Sequence, residues 1–183
     1  MSQLLGRIYH FLRILLDANF IINLQYTNCD QVLITLAKKN SWDIYLPKIA
    51  EAEATQKNPL TKSILQNIKN GQIIRTHGNS NTINLFQKYH GNLGKGELES
   101  MAIAYDCPDK STNPYVILSD DDKARKKAKN YGIKSQGILS IFILANHQGF
   151  LEKQKAIDYV KILIKNNFIP KPNAYLLYLN SLH

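Results

Sequence analysis

Short apolar runs alternate with amphipathic helical patterns along almost the whole chain, and that alternation restricts the fold more than any other feature. The run "RILLD" ends at Asp17 and is followed, from Asp30, by the helical pattern "DQVLITLAKKN", for which Asp30 is the expected cap. "WDIYL" reads as a strand, with Pro47 at the first position of the next helix. "LTKSILQNIKN" is a helix stopped by Gly71, and "QIIRT" is a strand. "NTINLFQKYH" and "GELESMAIAY" are helices separated by "GNLGKG". "YVILS" is a strand, "DDKARKKAKNY" a helix ended by Gly132, "GIKS" a short strand, and "ILSIFILANH" a helix. "AIDYVKILIKNN" is another helix, and a last short one follows Pro170 and Pro172. Strands alternating with helices predict an α/β fold with a mostly parallel central sheet. Ligands of such sheets bind beyond the carboxyl ends of the strands. That rule picks out Asp17 and the cluster Asp120, Asp121 and Asp122.

Three consecutive aspartates need a reason. Acids at a helix start cap free N–H groups and favour the helix dipole, each contributing about 0.3–1 kcal/mol. One or two are explained that way. A third adds repulsion, which a hard divalent cation on clustered carboxylate oxygens would relieve. Two helices add further acids. In "LPKIAEAEATQ", Glu53 lies four residues after Ile49 and shares its face, whereas Glu51 is turned roughly 200° away and is expected in solvent. In "GKGELESMAIAY", Leu98, Met101, Ala102 and Tyr105 mark a buried stripe that Glu97 borders, while Glu99 is expected to face outward. An edge position or the helix dipole accounts for either glutamate alone. Asp17 would cap the helix after it, although Asn19 serves that purpose as well. Four acidic positions at strand ends or inward helix faces are harder to ascribe to coincidence. They suggest oxygen coordination of Mg²⁺ or Mn²⁺, the chemistry of phosphodiester cleavage.

Charge supports the same direction. The 183 residues carry 23 Lys and Arg against 14 Asp and Glu, a net charge of +9, which favours polyanionic partners. Lys123, Arg125, Lys126, Lys127, Lys129 and Lys134 follow the aspartates and suit phosphate-backbone contacts; a solvated cationic helix face is the ordinary alternative. A hydrophobic content of 44% is that of a folded domain, and the two cysteines, Cys29 and Cys107, have no metal-ligand spacing. Arg7, His10, Arg13 and Asp17 interrupt the apolar N-terminus, so a soluble cytoplasmic protein without a membrane span is expected. His77, His90 and His147 read as surface residues, and Tyr89 or Tyr131 could stack on a base.

At this point the residues resemble a family. "LLDANFIINL", "LPKIAEAEATQ", "GKGELESMAIAY" and "VILSDDDKARKKAKNYGIKSQGILSIFILANHQGF" are similar, in order, to the four acidic motifs of PIN-domain proteins. The likeness is to the prokaryotic VapC-like branch with a Gly-Glu third motif and an Asp-Asp-x-x-Ala-Arg fourth motif, and runs from about residue 12 onward. It implies a three-layer α/β/α sandwich, Mg²⁺- or Mn²⁺-dependent ribonuclease activity, and a toxin held by a small antitoxin protein, often as a homodimer. Carried over one by one, Asp17, Glu53 and Glu97 match the first three acids, and Asp120 or Asp121 the fourth, with a slight preference for Asp120. Asp122 matches an ordinary helix-start residue, Ser119 a small hydroxyl position, and Asn19 a support for Asp17. Residues 1–11 would be an extension, 12–150 the catalytic domain, and 151–183 C-terminal helices packed on it.

Two other functions compete. A PIN-fold module that binds RNA or protein without cleaving would keep the fold, but the intact acids argue against it. A receiver-like signalling domain needs a phosphoacceptor aspartate after a middle strand, and "WDIYLP" and "IIRTHG" supply none in place.

Overall fold

The computed structural model describes residues 12–109 and 112–183; the expected N-terminal extension, 1–11, lies outside them. Five strands form one parallel sheet in the order β3-β2-β1-β4-β5. They are β1 (Arg13–Leu16), β2 (Asp43–Pro47), β3 (Ile74–Thr76), β4 (Tyr115–Leu118) and β5 (Lys134–Gln136). In β1 and β4, side chains alternate between two apolar cores. Ile14, Leu16, Val116 and Leu118 enter one, and Leu15 and Ile117 enter the other. A parallel sheet covered on both faces needs such runs without a polar side.

Helices form the outer layers. The first core is closed by α1 (Ala18–Thr27), α2 (Asp30–Asn40), α8 (Ile138–His147), α9 (Lys153–Lys165) and α10 (Pro172–Ser181), through residues such as Phe20, Leu33, Phe142, Val160 and Tyr178. Burying a side chain the size of Phe20 or Phe142 contributes about 2–3 kcal/mol. The second core is closed by α5 (Ser80–His90), α6 (Lys95–Tyr105) and α7 (Asp122–Asn130), through Phe86, Leu98, Met101 and Ala128. Ala50 and Ala54 of α3 (Lys48–Lys57) and Ile64 of α4 (Lys62–Lys69) join the first core. The arrangement is the three-layer α/β/α sandwich. No helix among the described residues is long and apolar enough to cross a membrane.

Two local expectations change. Asp30 does not cap α2: Cys29 holds the cap position, and Asp30 is buried in the first turn, where it accepts hydrogen bonds from Ser63 Oγ and Asn67 Nδ2 of α4. Asp30 therefore ties two helices together. Pro47 closes β2 and takes the cap position of α3, one residue earlier than expected. Gly132, with φ +70°, ends the turn after α7 as the sequence implies.

Candidate active site

Strand register builds the centre of the site. Leu16 pairs with Leu118, so the residues that follow, Asp17 and Ser119, emerge side by side at the carboxyl ends of β1 and β4. The Asp17 N–H donates to the Leu118 carbonyl (3.0 Å), and Ser119 Oγ donates to Asp17 Oδ2 (3.0 Å). Asp17 occupies the cap position of α1 without a side-chain capping bond. Its carboxylate is 1% exposed, and Oδ1 has no hydrogen-bond partner among the described residues. Burial first, then the charges of Glu97 and Glu53, raise its pKa to about 7 against the opposing hydrogen bond from Ser119 and the nearness of the Ala18 N–H.

Packing of α3 against α6 delivers the two glutamates. Gly96 lies so close to α3 that a Cβ there would stand 3.0 Å from Ala50 Cα and 2.6 Å from Glu53 Oε2. Its N–H donates to Glu53 Oε1 at 3.2 Å. Glu97, in the first turn of α6, accepts the Gly94 N–H at Oε2 (2.9 Å). This is the reach-back half of a capping box, since Gly94 has no side chain to return the bond. Burial, with the charges of Asp121 and Glu53, raises the Glu97 pKa.

The three aspartates have three different tasks. Asp120 is held by the Ile138 N–H at Oδ1 (2.8 Å) and by Asn23 Nδ2 at Oδ2 (2.8 Å), so it joins the start of α8 to α1. Burial raises its pKa, and the neighbouring charge that lowers it is Arg125. Asp121 caps α7, with Oδ1 accepting the N–H groups of Lys123 (2.6 Å) and Ala124 (2.9 Å), and it is the aspartate whose charge acts on Glu97. Its own N–H donates to Ser119 Oγ, which thus links it to Asp17. Asp122 begins α7 but does not cap it; it pairs with Arg125 and Lys171, and Lys171 first among them holds its pKa low.

Several expectations need correction. Asn19 makes no bond to Asp17; its Oδ1 accepts from Lys57 Nζ at 3.4 Å, and Ser119 supports Asp17 instead. Glu99 does not face solvent. It is 2% exposed and accepts the N–H groups of Ile49 (2.6 Å) and Gly78 (3.3 Å), fastening the start of α3 to α6. Glu51 is half-buried and forms a two-pronged pair with Arg75 (2.6 and 2.8 Å). Arg125 is turned inward, donating to the Ser119 carbonyl at 2.7 Å, while Lys123 and Lys126 are exposed and Lys127 is half-buried. His90 is half-buried on Phe86 and bonds Tyr131, whose ring joins the same aromatic cluster; His77, His147 and Tyr89 are exposed. The residue that sequence reasoning missed is Asn23. Its signal was the i, i+4 spacing from Asn19 on a helix that otherwise packs apolar side chains.

Among the described residues, no three His, Cys, Asp or Glu side chains are drawn together tightly enough to make a ready metal cage. Magnesium does not require one, because it is usually held by one or two carboxylates, water and substrate phosphate. The orphaned, buried Asp17 oxygen and the mutual repulsion of Asp17, Glu53 and Glu97 fit a hard cation.

A family model described as a PIN domain matches residues 13–183. No curated protein matches this chain.

Proposed function

The chain belongs to the PIN-domain family, and on that premise we propose that it is an endoribonuclease dependent on Mg²⁺ or Mn²⁺, acting as the toxin of a toxin–antitoxin pair. The observation that carries this reading is Asp17: a buried carboxylate with one oxygen unpartnered among the described residues, facing Glu97 and Glu53 at the carboxyl ends of the two central strands. Asp17, Glu97 and Asp121 would hold the cation, with Glu53 beside them. When bound, the cation would polarise the scissile phosphodiester and make a water easier to deprotonate. Asp121 is favoured over Asp120 as the fourth acid, because both oxygens of Asp120 are already engaged by α8 and α1. Ser119 orients Asp17 and Asp121 together. Lys123, Lys126 and Lys127 would hold the RNA backbone through charge alone.

The decisive measurement is RNA cleavage with Mg²⁺ or Mn²⁺ by the wild type and Asp17→Asn. Activity that vanishes in chelator and in the variant supports the proposal; equal activity in both proteins refutes it. RNA binding that persists in chelator with no cleavage of any RNA would instead identify a non-catalytic module. The toxin role predicts that induced wild type arrests growth, that Asp17→Asn does not, and that a small antitoxin copurifies with it. Sedimentation tests the homodimer.

A further inference from the structure

The Ser119 hydroxyl spans two of the facing acids, and its aim depends on how the Ser119 backbone is held. Its N–H donates to the Gln136 carbonyl (2.9 Å), just past the last paired residues of β4 and β5. Its carbonyl lies beyond that ladder and is taken by a side chain: Arg125 Nη1 donates to it at 2.7 Å. The other nitrogen, Nη2, is fixed on one oxygen of Asp122, and Lys171 holds the second. Residue 137 leaves room for the guanidinium, since a Cβ on Gly137 would stand 3.1 Å from Nη1. Arg125 lines one small cavity with Asp17, Glu97 and Ser119. Among the described residues its hydrogen bonds nevertheless go to Ser119 and Asp122, and to none of Asp17, Glu53, Glu97 or Asp121.

The pair between Asp122 and Arg125, three residues apart on α7, is ordinary helix-surface chemistry. The second bond is what asks for a function. A guanidinium offers several nitrogens in one plane, so it grips a carbonyl and a carboxylate at once, whereas an ammonium is a point charge and cannot fix that angle. A cation beside clustered carboxylates would also pair with one of them and compete with a metal ion. Asp122 keeps this one turned to the Ser119 carbonyl. We propose that Arg125 is a positioning residue of the cation site: held by Asp122, it fixes the Ser119 carbonyl so that the Ser119 hydroxyl stays between Asp17 and the Asp121 N–H. The proposal rests on the reading of these acids as a site for Mg²⁺ or Mn²⁺, and it takes Arg125 away from RNA contact. Charge and geometry then predict opposite signs. If its charge were all that mattered, removing Arg125 would tighten Mn²⁺ binding. Losing the hold on Ser119 should instead weaken it by about 10- to 100-fold, the usual effect of removing a group that orients metal ligands.

The test is Mn²⁺ titration followed by electron paramagnetic resonance, which counts the free ion and needs no cleavage, on folded protein well below its melting temperature. Arg125→Ala should show the loss of about 10- to 100-fold, and Arg125→Lys, which keeps the charge without the fork, should show most of it. Binding of a labelled RNA in chelator should be unchanged in both. Asp122→Ala should lose less, and Asp122→Ala combined with Arg125→Ala no more than Arg125→Ala alone, because both act along one path. Charge alone would instead return that double variant to the wild-type affinity. Lys171→Ala, on the exposed side of Asp122, should stay within about twofold of the wild type, because an exposed ion pair contributes little. Unchanged or tighter Mn²⁺ binding in Arg125→Ala, full affinity in Arg125→Lys, a double variant like the wild type, or a Lys171→Ala loss as large as that of Arg125→Ala overturns the proposal and leaves the ribonuclease reading standing. So does RNA affinity in chelator that falls with Arg125→Ala while Mn²⁺ affinity holds, which would make Arg125 a phosphate contact. A wild type that binds no Mn²⁺ overturns both. A wild type whose Mn²⁺ binding responds to the variants in this way, but which cuts no RNA, overturns the ribonuclease reading alone.

Discussion

Replacing Asp17 by asparagine should stabilise the cation-free protein while abolishing its activity. Burial, Glu97 and Glu53 raise the Asp17 carboxyl from 3.8 to about 7. A carboxyl whose folded pKa lies above its unfolded one contributes stability that is complete below the unfolded value and is lost as pH rises through the folded value. The window is therefore about pH 4 to pH 7. At about 1.36 kcal/mol per pH unit, the wild type should be at a disadvantage of about 1–2 kcal/mol at pH 5 and about 4 kcal/mol at pH 8. The asparagine side chain is neutral throughout, and its oxygen can still accept from Ser119 Oγ, so the variant escapes the loss. Urea unfolding in chelator measures the difference directly. In thermal scans, about 2–4 °C per kcal/mol makes the pH 8 gain of the variant about 8–16 °C. Adding Mg²⁺ or Mn²⁺ at about one hundred times its dissociation constant should return about 2.7 kcal/mol to the wild type and little to the variant. A variant advantage that is the same at pH 5 and pH 8 refutes the argument that Asp17 is buried against like charge. A wild type that gains nothing from either cation refutes the metal assignment separately.

Further substitutions probe the neighbouring elements. Gly96→Ala places a methyl group 2.6 Å from Glu53 Oε2 and 3.0 Å from Ala50 Cα; it should lose about 1–3 kcal/mol and reduce cleavage, although alanine is intrinsically the better helix former. An unchanged melting temperature would mean that α3 and α6 pack more loosely than this. Glu99→Ala removes the acceptor for the Ile49 and Gly78 N–H groups and should cost about 2–3 kcal/mol in urea unfolding; a loss under about 0.5 kcal/mol contradicts its role as a clamp. Asp121→Asn should stay within about 0.5 kcal/mol of the wild type, because asparagine caps helices equally well, yet lose at least about tenfold in cleavage. Asp120→Ala should do the reverse in emphasis, losing about 1–3 kcal/mol as the Ile138 N–H and the Asn23 amide go unpaired. If Asp120→Asn rather than Asp121→Asn removes activity without loss of stability, the two roles are exchanged.

The sheet was legible because period-two and period-3.6 patterns are local, and the strand-end rule then found Asp17 and the aspartate cluster without any contact being known. The errors fall where a residue's role depends on a second neighbour. Glu99 was assigned to solvent by rotating one helix about one stripe, but α6 is enclosed by the sheet, α3 and α5, so it is buried from Leu98 to Ala104 and has no outer side there. Asn23 and Asp120 are 97 residues apart, and nothing in either segment announces their bond. The same limit left Asp120 and Asp121 unresolved, since only the approach of α8 distinguishes them. Backbone donors then explain why these acids coexist. Asp121 shares its charge with two N–H groups, and Glu97 and Glu53 with one each. Among the described residues, Asp17 has a single hydroxyl on its side-chain oxygens and no partner at Oδ1. Among the four acids that face one another, the missing positive charge is felt most at Asp17, which is why its carboxyl, more than any other in the chain, should report whether a cation binds.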